Sequence, residues 1–272
     1  MGKVIMVASG KGGTGKTTAA ANLGAALSAR GRLTVLVDMD MGLRNLDVAL
    51  GLESSIVYDF LDLLEGRCTL DEVLVRADGY ENLYFIAAPQ THPPSEYDEE
   101  KIIEFWDSLR NRFEFCIADS PAGISGGFIY SMLGADSAVI VTLAETAALR
   151  DADRVISMLE DNHRSKESSE SCETYSIRLV VNRVRPDMIE KKLMLNMDEC
   201  MDILGIPMLG IVPDDEELMK AGLLGTTAVS TEASAAGLAF KNIAARLCGE
   251  DVPIMEFKKK SFWDKFTGIF TK

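Results

Sequence analysis

VIMVASGKGGTGKTTAAANL, residues 4–23, is the stretch whose reading decides the architecture. Val4-Ile5-Met6-Val7-Ala8 is a short continuous apolar run, the pattern of a parallel strand buried on both faces. From Lys16 to about Arg30 the pattern is helical. Between them, Gly10-Lys11-Gly12-Gly13-Thr14-Gly15-Lys16-Thr17 fits GxxxxGK[ST] at every fixed position. Glycines let such a backbone curl until its N–H groups converge on phosphate oxygens, and the helix adds the positive end of its dipole. The spacing thus predicts a phosphate cradle over Gly10 to Thr18. Lys16 would meet the β and γ phosphates of a nucleotide, and the Thr17 hydroxyl would serve Mg²⁺.

Working outward, Thr34-Val35-Leu36-Val37 is the next buried run and ends at Asp38. Further strands are expected at Leu83–Ala87, Phe115–Ala118, Ala138–Thr142, Ile177–Val181 and Met208–Val212. Helices are expected over Glu99–Arg112, Leu149–Asp161 and Ala233–Leu247. Alternation of this kind implies right-handed crossovers and an α/β fold, a doubly wound, mostly parallel sheet flanked by helices in a Rossmann-like three-layer arrangement. One such domain is expected over residues 1–250. In these sheets ligands sit at the carboxyl ends of the strands. Asp38 and Asp40, in DMDMGLRNLD at residues 38–47, and Asp119, after Phe115–Ala118, are therefore candidates to hold Mg²⁺ waters or orient an attacking water. The competing reading of each is a cap or turn residue. Two polar stretches, Pro89 to Glu100 and Asn162 to Ser176, read as solvated loops.

Composition narrows the classes. Apolar residues are 47% and charged residues 26%, ordinary for a globule. Five scattered cysteines show no CxxC spacing, so reduced thiols of a reducing compartment are expected rather than a disulfide framework, zinc site or cluster. The two histidines, His92 and His163, lie in polar stretches. No signal peptide and no transmembrane-length apolar run are read, so a cytoplasmic chain is expected. Net charge is −14, which argues against broad binding to nucleic acid. Five lysines against Asp264 give residues 257–272 a charge of +4, which leaves −18 on residues 1–256.

Lys11 is not required by the general phosphate-loop pattern. KGGTGKTT, Lys11 to Thr18, resembles the deviant Walker A ATPases, the ParA–MinD family of partitioning ATPases, nitrogenase iron proteins and division-site regulators. That resemblance implies slow hydrolysis of ATP with Mg²⁺ and an ATP-dependent homodimer. It also implies a signature lysine, here Lys11, that reaches the partner subunit's nucleotide. GLRNLD at residues 42–47, VYDFLDLLEG at 57–66, DSPAGI at 119–124 and RDADRVISML at 150–159 are similar to the MinD branch. Carried over by motif, Asp40 positions the hydrolytic water, Asp38 and Asp119 join Thr17 at the metal, and Asn182, Pro213 and Asp214 hold adenine and ribose. The branch further implies a septum inhibitor of the MinC type as partner and a topological or ATPase-stimulating factor. Gly225-Thr226-Thr227 departs from the Gly-Glu-Pro expected there, and Asn162–Ser176 is longer and more polar than the family pattern.

The last residues carry a separate signal. After a linker at 251–257, Phe262, Trp263, Phe266, Ile269 and Phe270 fall within an arc of about 120° when wound as a helix, with lysines around it. Residues 258–272 are too short to cross a bilayer but suit an anionic membrane surface, at roughly 1 kcal/mol per lysine. Alone they should bind weakly. Two on one dimer gain about 100-fold or more from effective concentration. The resemblance agrees, since that branch carries a terminal membrane-targeting helix on the inner face of the membrane. A DNA-partitioning ATPase and an iron-protein-type reductase are the alternatives. The first needs a basic surface away from the tail, the second suitably placed cysteines.

Overall fold

The computed structural model describes residues 1–90, 98–123, 126–166 and 175–255. Eight strands form one sheet: β1 (Lys3–Ala8), β2 (Thr34–Asp38), β3 (Val75–Arg76), β4 (Leu83–Ile86), β5 (Phe115–Asp119), β6 (Ser137–Leu143), β7 (Ser176–Val184) and β8 (Met208–Pro213). Their spatial order is β3-β4-β2-β5-β1-β6-β7-β8. Every pairing is parallel except β3 with β4. The doubly wound, mostly parallel α/β sheet expected from the apolar runs is thus present. The seven long strands fall on those runs because β1, β2, β5 and β8 are buried almost end to end.

Helices α1 (Lys16–Ala29), α2 (Leu46–Leu50), α3 (Phe60–Leu64), α4 (Leu70–Val73), α5 (Glu99–Arg110), α6 (Gly126–Gly134), α7 (Thr146–Lys166), α8 (Pro186–Glu190), α9 (Met197–Leu204), α10 (Glu216–Leu223) and α11 (Ala235–Leu247) cover the two faces. On one face α1 and α11 pack with Ile5, Leu36, Ile117 and Val139. On the other, Phe128, Leu149, Ile156 and Cys200 close over β6 and β7, and Trp106, Phe60 and Phe105 over β2 and β5. Helix α1 is buried nearly all round, with alanines where it meets sheet and α11. This anchors the phosphate loop, through the head of α1, to the core.

Three expectations need correction. β7 runs to Val184, so Asn182 lies inside the strand rather than after it. Helix α7 begins at Thr146 and continues to Lys166, so the polar stretch from Asn162 starts as helix. Its apolar positions pack at helical spacing on the sheet, and an exposed face tolerates the polar composition. Helix α5 stops at Arg110, where Asn111 donates its N–H to Asp107 O. The two-residue β3 gave no apolar run to read. Of the calls beyond these elements, the tail at 258–272, with Phe262, Trp263, Phe266, Ile269 and Phe270, and residues 91–97 and 167–174 lie outside the described residues.

Candidate nucleotide site

The phosphate loop leaves β1 at Ala8 and enters α1 at Lys16. Gly13 and Gly15 take φ of 82° and 88°, the left-handed region that costs a side-chain-bearing residue. Gly15 caps α1 with no side-chain hydrogen bond, and the first turn holds no acid. The opening amides and the dipole of α1 are therefore left for an anion. Beyond Gly12 and Gly13 an added Cβ would meet open space. Gly10 differs: its Cβ would stand 2.1 Å from the Asp151 carbonyl carbon, so the loop's first residue is pressed against α7.

Lys16 is buried, and its Nζ lies 2.6 Å from Asp119 Oδ1. Asp119 sits at the end of β5, in register with Asp38 at the end of β2. Two carboxylates are thus side by side at 1% exposure. Burial first, and the Asp119 charge second, push the Asp38 carboxyl up to about 7. Amides oppose this: Asp40 N–H donates to Asp38 Oδ1 at 2.9 Å, and Asn45 and Leu46 N–H donate to Oδ2 at 3.2 and 3.1 Å. Asp38 therefore folds the 38–47 segment around itself. Half-buried Asp40 stands in that turn, its carbonyl accepting from Leu43 and Arg44.

The donor set fits Mg²⁺ and triphosphate. Asp119 Oδ2 is buried with no hydrogen-bond partner, as is the Thr14 hydroxyl. Thr17 adds an oxygen in the first turn of α1. One or two carboxylates, a hydroxyl and substrate phosphates suit an oxygen-loving ion that keeps its waters. Among the described residues no group of three His, Cys, Asp or Glu side chains is spaced to hold a metal. The buried thiols are inert: burial pushes Cys116 up to about 12 and Cys200 up to about 11.

Other expected residues lie apart from this centre. Lys11 points outward, its Nζ 3.5 Å from Glu145. Asn182 donates from Nδ2 to Thr14 O at 2.8 Å and presses on Gly15, bracing the loop from β7. Pro213 ends β8, paired with Val184, and Asp214 is exposed. Gly225 lies against Gly51, and the Thr227 hydroxyl meets the Tyr80 hydroxyl at 2.6 Å, so the departing segment serves as a packing joint. Sequence reasoning missed Glu145 and the bond of Ser120, whose Oγ donates to Val7 O at 2.9 Å, and it placed Thr14 in the cradle without singling out its buried hydroxyl. Thr14 sits in the quoted motif, where its position between two glycines was the available signal.

Comparison with known proteins agrees with this geometry. Residues 5–228 match the CobQ/CobB/MinD/ParA nucleotide binding domain. Septum site-determining protein MinD of Synechocystis sp. is 43% identical, covering 94% of this chain and 93% of its own. The MinC:MinD cell division protein complex of Aquifex aeolicus contains a chain 37% identical at TM-score 0.82, covering 94% of this chain and all of that one. MinD of Pyrococcus horikoshii complexed with Mg-ADP is 28% identical at TM-score 0.77, covering 91% and 96%.

Proposed function

Because the chain belongs to the CobQ/CobB/MinD/ParA nucleotide-binding family, we propose that it is an ATP-driven switch that sets the place of the division septum. It is a P-loop ATPase that uses ATP and Mg²⁺. The observation that carries the reading is the Lys16–Asp119 contact at the head of a complete phosphate loop. A triphosphate competes for Lys16, because its charge exceeds that of one carboxylate. Asp119, released, faces the metal side, and the 120–123 segment that follows it moves with it. Bound Mg²⁺ would neutralise charge developing between the β and γ phosphates. Asp40 orients the attacking water, and Asp38 holds the turn that carries Asp40. Asn182, Pro213 and Asp214 line the adenine and ribose side.

Lys11 supports an ATP-dependent homodimer, since its ion pair with Glu145 is long at 3.5 Å and half-exposed and lets it turn toward a second subunit's phosphate. The dimer brings two copies of the 258–272 segment to the inner membrane face, and hydrolysis releases them. A septum inhibitor of the MinC type is the partner, by analogy with the Aquifex complex. Among the described residues no helix is long and apolar enough to cross a membrane, which accords with a peripheral attachment. Net charge of −14 disfavours the DNA-partitioning alternative.

Co-sedimentation with anionic liposomes tests this. Pelleting is expected with ATP, much less with ADP, and not after removal of residues 258–272. Equal pelleting in all three conditions overturns the membrane switch.

A further inference from the structure

A groove of about 1360 Å³ opens beside β8, between α8, α9 and the chain segment that follows α11. Its floor is rich in half-buried methionine: Met194, Met197, Met201 and Met208, with Ile189 and Ile254. Methionine is unbranched and adaptable, and grooves of this kind take the apolar face of an amphipathic helix. Glu145, Glu190, Asp198 and Glu199 edge the groove against a single base, Lys192. The described chain ends inside it. Arg246 donates to Val252 O at 2.7 Å, to Pro253 O at 2.5 Å and to Leu209 O at 2.7 Å, which holds the exit against β8. Ile254 and Met255 then join the lining.

From these placements we infer that the groove is the docking site of the chain's own segment 258–272 when that segment is off the membrane. The inference rests on reading this segment as the membrane arm. Reach is sufficient: residues 256–261 span up to about 20 Å when extended. A helix over 262–270 is about 13 Å long, which suits a groove of this size. Charge matches as well, five lysines meeting four carboxylates. One groove acid, Glu145, is also the partner of Lys11. The edge of the groove therefore reaches the phosphate loop. A tail docked about four-fifths of the time lowers apparent membrane affinity about 5-fold.

The full chain has two tryptophans, and Trp106 is wholly buried, so acrylamide quenching reports Trp263. In nucleotide-free protein without vesicles, Trp263 should be shielded, and Met197→Asp should expose it. The same variant should bind phosphatidylglycerol vesicles without nucleotide about 5-fold more tightly, although its added charge repels them. In a second measurement, the methyl signals of Met194, Met197, Met201 and Met208 should shift between the full chain and full-length Phe262→Ser/Phe266→Ser. Trp263 quenched as freely as a solvated indole, or groove methyls indifferent to the tail substitutions, would overturn the inference. So would methyl shifts that scale with protein concentration, which assign the groove to a second copy. The quenching and methyl measurements use no membrane, so they fail or succeed separately from the liposome test.

Discussion

The two ends of the sheet are opposites. At the amino ends of the strands an opening of about 1180 Å³ is lined by Lys3, Phe115, Ser137 and Ser176, the first residues of β1, β5, β6 and β7. Its arginines are occupied. Arg110 binds Asp136 at 2.9 Å, Asp107 at 2.6 Å and the Gly134 carbonyl, while Asp136 also accepts the Val4 N–H at 2.7 Å. Arg32 pairs with Glu114 at 3.0 Å, and Arg246 donates to three carbonyls. At the carboxyl ends two buried carboxylates stand side by side, one of them paired with Lys16, and Asp119 Oδ2 and the Thr14 hydroxyl have no partner. A cleft whose arginines are paired reads as structural. Unmet bonding capacity around Lys16 is what marks the working end.

This contrast can be broken in four ways. Lys16→Ala has the largest expected effect, a loss of about 10³-fold in ATP hydrolysis, because the phosphate charge loses its buried cation; turnover near the parent rate would remove Lys16 from the site. Asp40→Ala should slow single-turnover hydrolysis by about 10²-fold while a labelled ATP analogue still binds with the parent affinity. Weakened binding with unchanged hydrolysis would reverse the assigned role. Arg110→Ala tests the other end. It should cost about 2 kcal/mol in urea unfolding, since it leaves Asp136 and a carbonyl short of a partner, with hydrolysis by folded protein unchanged. A fall in hydrolysis without a stability loss would erase the distinction between the ends.

Asp38→Asn gives the smallest effect. The folded chain takes up a proton at Asp38 near 7, against 3.8 in the ordinary carboxyl. Between those values the folded state holds a proton that the unfolded state has released, so stability falls as pH rises through this window. The substitution removes that dependence. The difference in melting temperature, variant minus parent, should rise by a few degrees between pH 5 and pH 8 in nucleotide-free protein. A flat difference would show that the carboxylate pair is not strained.

What was legible in the sequence follows from locality. β1, the phosphate loop and the head of α1 are contiguous, so 4–23 could be read as one physical unit. Buried parallel strands announce themselves as apolar runs, and all seven long strands lie within three residues of where those runs placed them. Val75–Arg76 is a strand only because β4 pairs with it. Lys16 meets Asp119 across 103 positions, and Asn182 meets Thr14 across 168. No spacing rule encodes such partners, so the brace from Asn182 to the loop was not legible beside its reading as a nucleotide contact. The polar run after Asp161 hid the end of α7, because composition there reports exposure rather than backbone conformation.

Arg246 has a mechanical consequence. Its guanidinium joins the carbonyls of Val252 and Pro253 to that of Leu209 in β8. Tension applied to the chain beyond Met255 therefore meets Arg246 in the last turn of α11 and, through the same guanidinium, β8. At β8 it meets a strand paired in parallel with β7, a pairing interrupted by two register shifts. The molecule is moored at its frame, with β6 and β7 between the mooring and the strand that leads into the phosphate loop, so a pull from outside reaches the sheet that carries the nucleotide site.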